Sequence, residues 1–119
     1  MKYTYYATVV ALFELEGKNN EAQAWVLSKV EPIGRVESID VTKWVDVYRN
    51  EAVIVQRDGG EFGKFSTTID LIFESDNGYS DAQMQIVNAL SSEEERTHMN
   101  IQSVRLTRST NSILRGDRG

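Results

Sequence analysis

Apolar and polar residues alternate along two segments of the chain, residues 3–15 and 66–74. A repeat of two residues is typical of a β-strand with one buried face. The alternation therefore predicts strands from Tyr3 to Leu15 and from Ser66 to Glu74. The residues that share the apolar face are Tyr3, Tyr5, Ala7, Val9, Ala11 and Phe13 in the first strand, and Ile69, Leu71 and Phe73 in the second.

A helical pattern follows each of these strands. Apolar residues recur every three or four positions, as Ala22, Trp25, Val26 and Val30 and again as Ile86, Val87 and Leu90. This spacing places them on one side of an α-helix. We expect helices from about Asn20 to Val30 and from about Ser80 to Leu90. A further strand is predicted after each helix, over Arg35–Thr42 and Ile101–Ser109.

The two halves repeat one another. Phe13-Glu14 and Ala22-Gln23 recur 60 positions later as Phe73-Glu74 and Ala82-Gln83. Each half is then one βαβ unit. Two such units in a short chain predict an α+β ferredoxin-like sandwich, with a four-stranded antiparallel sheet and two helices on one face.

The chain of 119 residues, 40% of them hydrophobic, is long enough for one core. We expect a single domain over residues 1–108, with an insertion at 44–65 between the halves and a mobile polar tail at 109–119. Val45–Tyr48 and Ala52–Gln56 are predicted to be the arms of a β-ribbon in the insertion. Such a loop often carries function, and an ordinary protruding hairpin is the alternative.

Composition excludes several classes of function. The chain has no cysteine and one histidine, so neither a disulfide framework nor a metal site is predicted. A net charge of −5 argues against a nucleic-acid partner. No apolar run is long enough to span a membrane, and the alternating N-terminal segment is unlike a signal peptide. We therefore expect a cytoplasmic protein with no membrane partner.

One stretch of the chain resembles a known family. Gly34-Arg35-Val36-Glu37-Ser38-Ile39-Asp40-Val41-Thr42, followed by Tyr48-Arg49-Asn50-Glu51-Ala52, is similar to the S-adenosylmethionine (SAM) lyases of bacteriophages, formerly called SAM hydrolases. In that family Gly-x-Val-Glu-Ser-x-Asp-Leu-Thr precedes Tyr-Arg-Glu-Ala. The resemblance is collinear over most of residues 5–109, and its specific part is residues 36–52.

The resemblance implies a homotrimer arranged like the PII signalling proteins, which binds SAM between subunits without a separate cofactor. It implies cleavage of SAM to methylthioadenosine and homoserine lactone, as a counter-defence in the cytoplasm of the infected host. The catalytic residues it implies are Tyr48, Glu61, which is the nearest glutamate to the family's position, and Gln102. The substrate-binding residues it implies are Glu37, Ser38 and Asp40.

The residue inventory suits this chemistry, because the carboxylate of SAM itself displaces the thioether and the protein mainly positions the substrate. Glu61 or Glu37 would stabilise its positive charges. Val10, Leu12 and Ile72 also form a second apolar sheet face, which needs a partner.

The alternative function is a non-catalytic module, because this fold also hosts regulators and structural proteins. It would be a PII-like ligand-binding protein or a phage inhibitor whose ribbon at 44–48 contacts another protein.

Overall fold

The computed structural model describes residues 2–16, 21–57, 59–76, 78–91 and 99–109. Within these ranges the chain forms seven strands and two helices. In chain order these are β1 (Tyr3–Glu16), α1 (Ala22–Val30), β2 (Arg35–Lys43), β3 (Val45–Asp46), β4 (Glu51–Ala52), β5 (Ile54–Arg57), β6 (Gly60–Ser75), α2 (Tyr79–Ser91) and β7 (Asn100–Ser109).

The main sheet is antiparallel and has the order β2-β6-β1-β7. Its centre is the long pair of β1 and β6, which are in register from Tyr3 opposite Ser75 to Glu16 opposite Phe62. The fifth strand, β5, pairs with the first residues of β6 and continues the line of β2. β3 and β4 form a separate two-stranded ribbon. The strands β2 and β7 therefore lie at opposite edges of the sheet.

The prediction of a ferredoxin-like sandwich is wrong. Strands contain 60% of the described residues, and the molecule is mostly β with a large antiparallel sheet. The difference arises because β1 and β6 reach 14 and 16 residues, and because β5 and the ribbon of β3 and β4 add further strand. Along the chain the order of elements is strand, helix, strand in each half, as β1, α1 and β2 and as β6, α2 and β7.

The third long strand also begins earlier than predicted, at Gly60 and not at Ser66. Two local features explain this. β1 continues to Glu16 and so provides a pairing partner for Phe62. Gly59, with φ of 78°, allows the tight reversal between β5 and β6, because glycine adopts positive φ without steric cost. Part of the predicted insertion is therefore sheet.

The core lies between the helices and one face of the sheet. The buried residues of α1 are Ala22, Val26 and Val30, and those of α2 are Ala82, Ile86 and Leu90, each 60 positions after its counterpart. The sequence repeat thus corresponds to equivalent core positions. Register partners on the sheet stack their rings, with centroids 5.4 Å apart for Phe13 and Phe65 and 5.6 Å apart for Tyr5 and Phe73.

Neither helix within the described ranges has the length and apolar character required to cross a membrane. The predicted tail lies, from residue 110 onward, outside the described residues.

Candidate functional site

A groove of about 560 Å³ runs between the end of α1 and β2. Leu27, Val36 and Ile39 give it an apolar lining. Its polar lining contains Glu37 and Ser38, two of the residues predicted to bind substrate, together with Glu31 and Arg35. We call this feature the α1–β2 groove.

A close backbone approach shapes the start of the groove at Gly34, in the connection from α1 to β2. A Cβ atom at this position would collide with the Ile72 carbonyl oxygen and lie 2.6 Å from the Phe73 Cβ atom. Only glycine fits there without displacing a neighbour. The close approach holds the first residues of β2 against the end of β6.

Glu37 is the extra residue of a β-bulge. Val36 pairs with Leu71 and Ser38 pairs with Asp70, so Glu37 has no partner of its own on β6. A bulge bends the strand and changes the direction of a side chain, and bulges are frequent beside active sites. The bulge thus allows Glu37 and Ser38, which are consecutive, both to line the groove.

Glu37 is paired with Arg35. The Nε atom of Arg35 donates a hydrogen bond to Oε2 of Glu37 over 2.7 Å. The two side chains are 64% and 45% exposed, so this ion pair contributes little to stability. Its main consequence is local, because it places a cation and an anion side by side in the groove.

Ser38 belongs to a row of polar side chains across the sheet, on the face opposite the core. It donates to Oδ2 of Asp70 over 2.8 Å, and Thr8 donates to Oδ1 of Asp70 over 2.7 Å. The hydrogen bonds from Thr8 and then Ser38 lower the pKa of Asp70 below its ordinary value of 3.8. Arg105, which pairs with Thr8 in register, completes the row.

Asp70 is not among the residues that the sequence predicts for the site, although its place in the strand is unusual for a carboxylate. Asp70 stands between Ile69 and Leu71 in a strand, where the alternation places it on the face away from the core. A carboxylate in the centre of a sheet requires hydrogen-bond donors from neighbouring strands. Asp40, two residues after Ser38, is exposed and pairs in register with Thr68.

Tyr48 lies at the tip of the ribbon formed by β3 and β4, and it is 97% exposed. The turn is built by Asp46, whose Oδ1 accepts hydrogen bonds from the backbone N–H groups of Tyr48 and Arg49. Asn50 closes the turn with a φ of 57°, a conformation that asparagine tolerates better than most residues. The tip is therefore a defined turn that presents an aromatic side chain to solvent.

Glu61 lies in a different depression, at the hairpin of β5 and β6. This cavity of about 430 Å³ is lined by Gln56, Gly59, Gly60 and Glu61. The Nε2 atom of Gln56 donates to Oε2 of Glu61 over 3.5 Å, which is a weak contact. Glu61 is thus separated from the α1–β2 groove along the sheet edge.

Gln102 lies on β7, at the other edge of the sheet. It is the extra residue of a second bulge, because Val10 pairs with Ser103 and Ala11 pairs with Ile101. Three strand spacings separate β2 from β7, or about 14 Å. A single chain therefore does not bring Glu37, Tyr48, Glu61 and Gln102 into one site.

At both bulges the sequence departs from the regular alternation of apolar and polar residues. The apolar residues of β2 are Val36, Ile39 and Val41, and those of β7 are Ile101, Val104 and Leu106. In each strand the spacing is three and then two residues. A regular strand would keep a spacing of two.

The described part of the chain contains no cluster of three or more histidine, cysteine or acidic side chains that would hold a metal ion. The polar side chains that line the α1–β2 groove are two carboxylates, one guanidinium and one hydroxyl group.

Comparison with known proteins gives no family. No protein-family model matches the chain, and no curated protein matches it. Among solved structures, the full extracellular region of zebrafish Gpr126/Adgrg6 aligns with 89% of this chain at 11% identity and a TM-score of 0.37. The aligned part is 13% of that protein. A similarity this weak carries no argument about fold or function.

Proposed function

We propose that this protein binds SAM in the α1–β2 groove and cleaves it to methylthioadenosine and homoserine lactone. One observation carries the proposal. The groove is lined by two carboxylates, Glu31 and Glu37, and one guanidinium, Arg35. SAM has two cationic centres, the sulfonium and the ammonium, and one carboxylate. The formal charges of the groove are therefore the complement of those of the ligand.

The size of the groove supports the same proposal. Its volume of about 560 Å³ lies within the range of small-molecule sites, about 300 to 1,000 Å³. The apolar side chains Leu27, Val36 and Ile39 provide surface for the uncharged part of a nucleoside. A carboxylate beside such a surface attracts a sulfonium more strongly than it would in bulk water.

The proposed reaction is intramolecular. A carboxylate oxygen of SAM attacks the γ-carbon next to the sulfonium, a C–O bond forms, and the C–S bond breaks. The electron pair of that bond passes to sulfur, which leaves as the neutral thioether of methylthioadenosine. The reaction needs neither water nor a metal ion, so the protein contributes positioning and electrostatic stabilisation. In an infected bacterium this activity would deplete cytoplasmic SAM and counter SAM-dependent restriction.

We further propose that the site is completed in a homotrimer. Glu37 and Gln102 lie on opposite edges of one sheet, so they meet only across a contact between subunits. The sheet face opposite the core carries the half-buried side chains Val10 and Leu12, which a second subunit would cover. The proposal requires Tyr48 and Glu61 of neighbouring subunits to approach the same groove.

The experiment that tests the proposed function is incubation of the purified protein with SAM, followed by chromatography for methylthioadenosine. Glu37→Gln removes one groove carboxylate and should lower the rate. Lys43→Gln changes an exposed charge at the other end of β2 and should leave the rate unchanged. Absence of methylthioadenosine with the wild-type protein would reject the lyase.

A second function, a protein-binding module, is favoured by a separate observation. Large apolar side chains are exposed on the ribbon and beside it, with Val47 at 80% and Tyr48 at 97%. Tyrosine is enriched among the residues that dominate protein interfaces. A module that acts through this tip would tolerate Glu37→Gln and lose its partner on Val47→Asp, which separates it from the lyase.

A further inference from the structure

We propose that Arg35 recognises the α-carboxylate of the ligand, and that the α1–β2 groove therefore binds SAM through its amino-acid end. This inference rests on the proposed function, and it adds a residue and a binding orientation to it. The observations that carry it are the position of Arg35 in the groove and its bond to Glu37.

The hydrogen bond to Glu37 involves a single nitrogen of the guanidinium, Nε. The two Nη nitrogens carry the other four N–H donors of the group, and their fork geometry matches the two oxygens of a carboxylate. Glu37 restricts the orientation of Arg35, so less side-chain entropy is lost when a carboxylate binds. Arg35 is well exposed, so the ligand can reach it.

The neighbouring charges agree with this orientation. An α-amino acid presents its carboxylate and its ammonium on the same carbon atom, and Arg35 and Glu37 present a guanidinium and a carboxylate in direct contact. A zwitterion therefore meets both charges of opposite sign at once. A ligand without the carboxylate would meet the ammonium site alone and leave Arg35 without its second acceptor.

Two ligands that cannot form the lactone test the inference by calorimetric titration. S-adenosylhomocysteine keeps the amino-acid end and lacks the sulfonium, whereas decarboxylated SAM keeps the sulfonium and lacks the carboxylate. Arg35→Gln should weaken binding of S-adenosylhomocysteine by roughly 10- to 100-fold, as expected for loss of a charge-assisted hydrogen bond. Binding of decarboxylated SAM should change less than about 2-fold, because that ligand has no partner for Arg35.

Arg35→Lys should give an intermediate loss, because lysine keeps the charge but not the two-pronged geometry. Lys43→Gln, at the other end of the same strand, should change neither affinity. Since Arg35 is exposed, each variant should retain the wild-type melting temperature. If Arg35 has only a structural role, Arg35→Gln should weaken the binding of both ligands by the same factor.

The outcomes separate this inference from the proposed function. If the wild-type protein forms methylthioadenosine and Arg35→Gln binds S-adenosylhomocysteine as tightly as the wild type, the role of Arg35 is overturned and the lyase stands. If Arg35→Gln weakens both ligands equally, recognition of the carboxylate is overturned. If the wild-type protein binds neither ligand nor SAM, the proposed function fails and the inference fails with it.

Discussion

Glu37 and Gln102 are both extra residues of a β-bulge, one on each edge strand of the same sheet. Each is skipped by the register of its neighbouring strand, and each is exposed. The family resemblance implies that both belong to the site. Bulges frequently occur beside active sites, so the two edges of the sheet are where we expect the proposed site to lie.

Removing the hydroxyl group of Tyr48 should affect turnover and not folding. Tyr48 is almost fully exposed at the ribbon tip, and the turn is held by backbone N–H groups and Asp46. Tyr48→Phe should therefore keep the wild-type melting temperature. If the hydroxyl contacts developing charge across a subunit contact, the rate of SAM cleavage should fall by about 100-fold.

The matched control for Tyr48→Phe is Val47→Ala, which shortens the adjacent exposed side chain without removing a polar group. It should cleave SAM at close to the wild-type rate. Equal rates for wild type and Tyr48→Phe would exclude Tyr48 from the site.

Gly34→Ala should destabilise the protein. The added methyl group would meet the Ile72 carbonyl oxygen and the Phe73 Cβ atom, so the start of β2 must move. We expect the free energy of unfolding to fall by about 1 to 3 kcal/mol, the typical cost of forcing a methyl group into such a contact. Urea denaturation measures this change. Gly78→Ala is the control, because a Cβ atom there has no neighbour within 4 Å. Equal stability of the two variants would contradict the close approach.

Asp70 should make stability depend on pH in the acid range. Its pKa is lowered in the folded protein by the hydroxyl groups of Thr8 and Ser38. The stabilisation is therefore complete above the ordinary pKa of 3.8 and is lost as the pH falls through the lower folded value. The difference in unfolding free energy between wild type and Asp70→Asn should be constant near neutral pH and shrink below 3.8.

Asp40→Asn provides the comparison for Asp70→Asn, since it removes an exposed carboxylate from the adjacent strand. Denaturation of all three proteins from pH 7 to pH 3 measures the effect. The difference in unfolding free energy between wild type and Asp70→Asn should not stay constant over this pH range. A constant difference would show that the two hydroxyl groups do not stabilise the ionised carboxylate.

The proposed trimer predicts a solution mass of three times the 13.5 kDa chain. Val10→Asp places a charge on the sheet face opposite the core and should dissociate the trimer without unfolding the subunit, because Val10 is only half-buried in one chain. Met84→Asp, on an exposed position of α2, should remain trimeric. Light scattering at micromolar concentration measures the oligomeric state of the three proteins. A monomeric wild-type protein would exclude a site between subunits.

Periodicity predicted the position and type of the main elements well. Val26 and Ile86, for example, are buried at equivalent points of the two helices, and their spacing from other apolar residues was visible in the sequence. The predicted fold class was wrong because periodicity does not show how far a strand continues. Gly60 to Phe65 carry no clear alternation, yet they join β6 because β1 provides a partner across the sheet.

The candidate site could be predicted only in part. The glutamate and serine of the motif line a groove, but the sequence did not indicate Glu31 as their neighbour, because α1 and β2 meet only in three dimensions. The separation of Glu61 and Gln102 from this groove also depends on strand order. Strand order is set by pairing between distant segments, which local patterns do not encode.

Cleavage of SAM by this protein is tested most directly by the products formed from SAM that is labelled in its methionine carbons. We predict that the wild-type protein releases methylthioadenosine and labelled homoserine lactone in equal amounts, and that Glu37→Gln does so more slowly. Because the carboxylate of SAM is the nucleophile, the lactone must appear before homoserine. Unchanged SAM after prolonged incubation with the folded protein, or homoserine formed without the lactone, would show that the protein is not a SAM lyase.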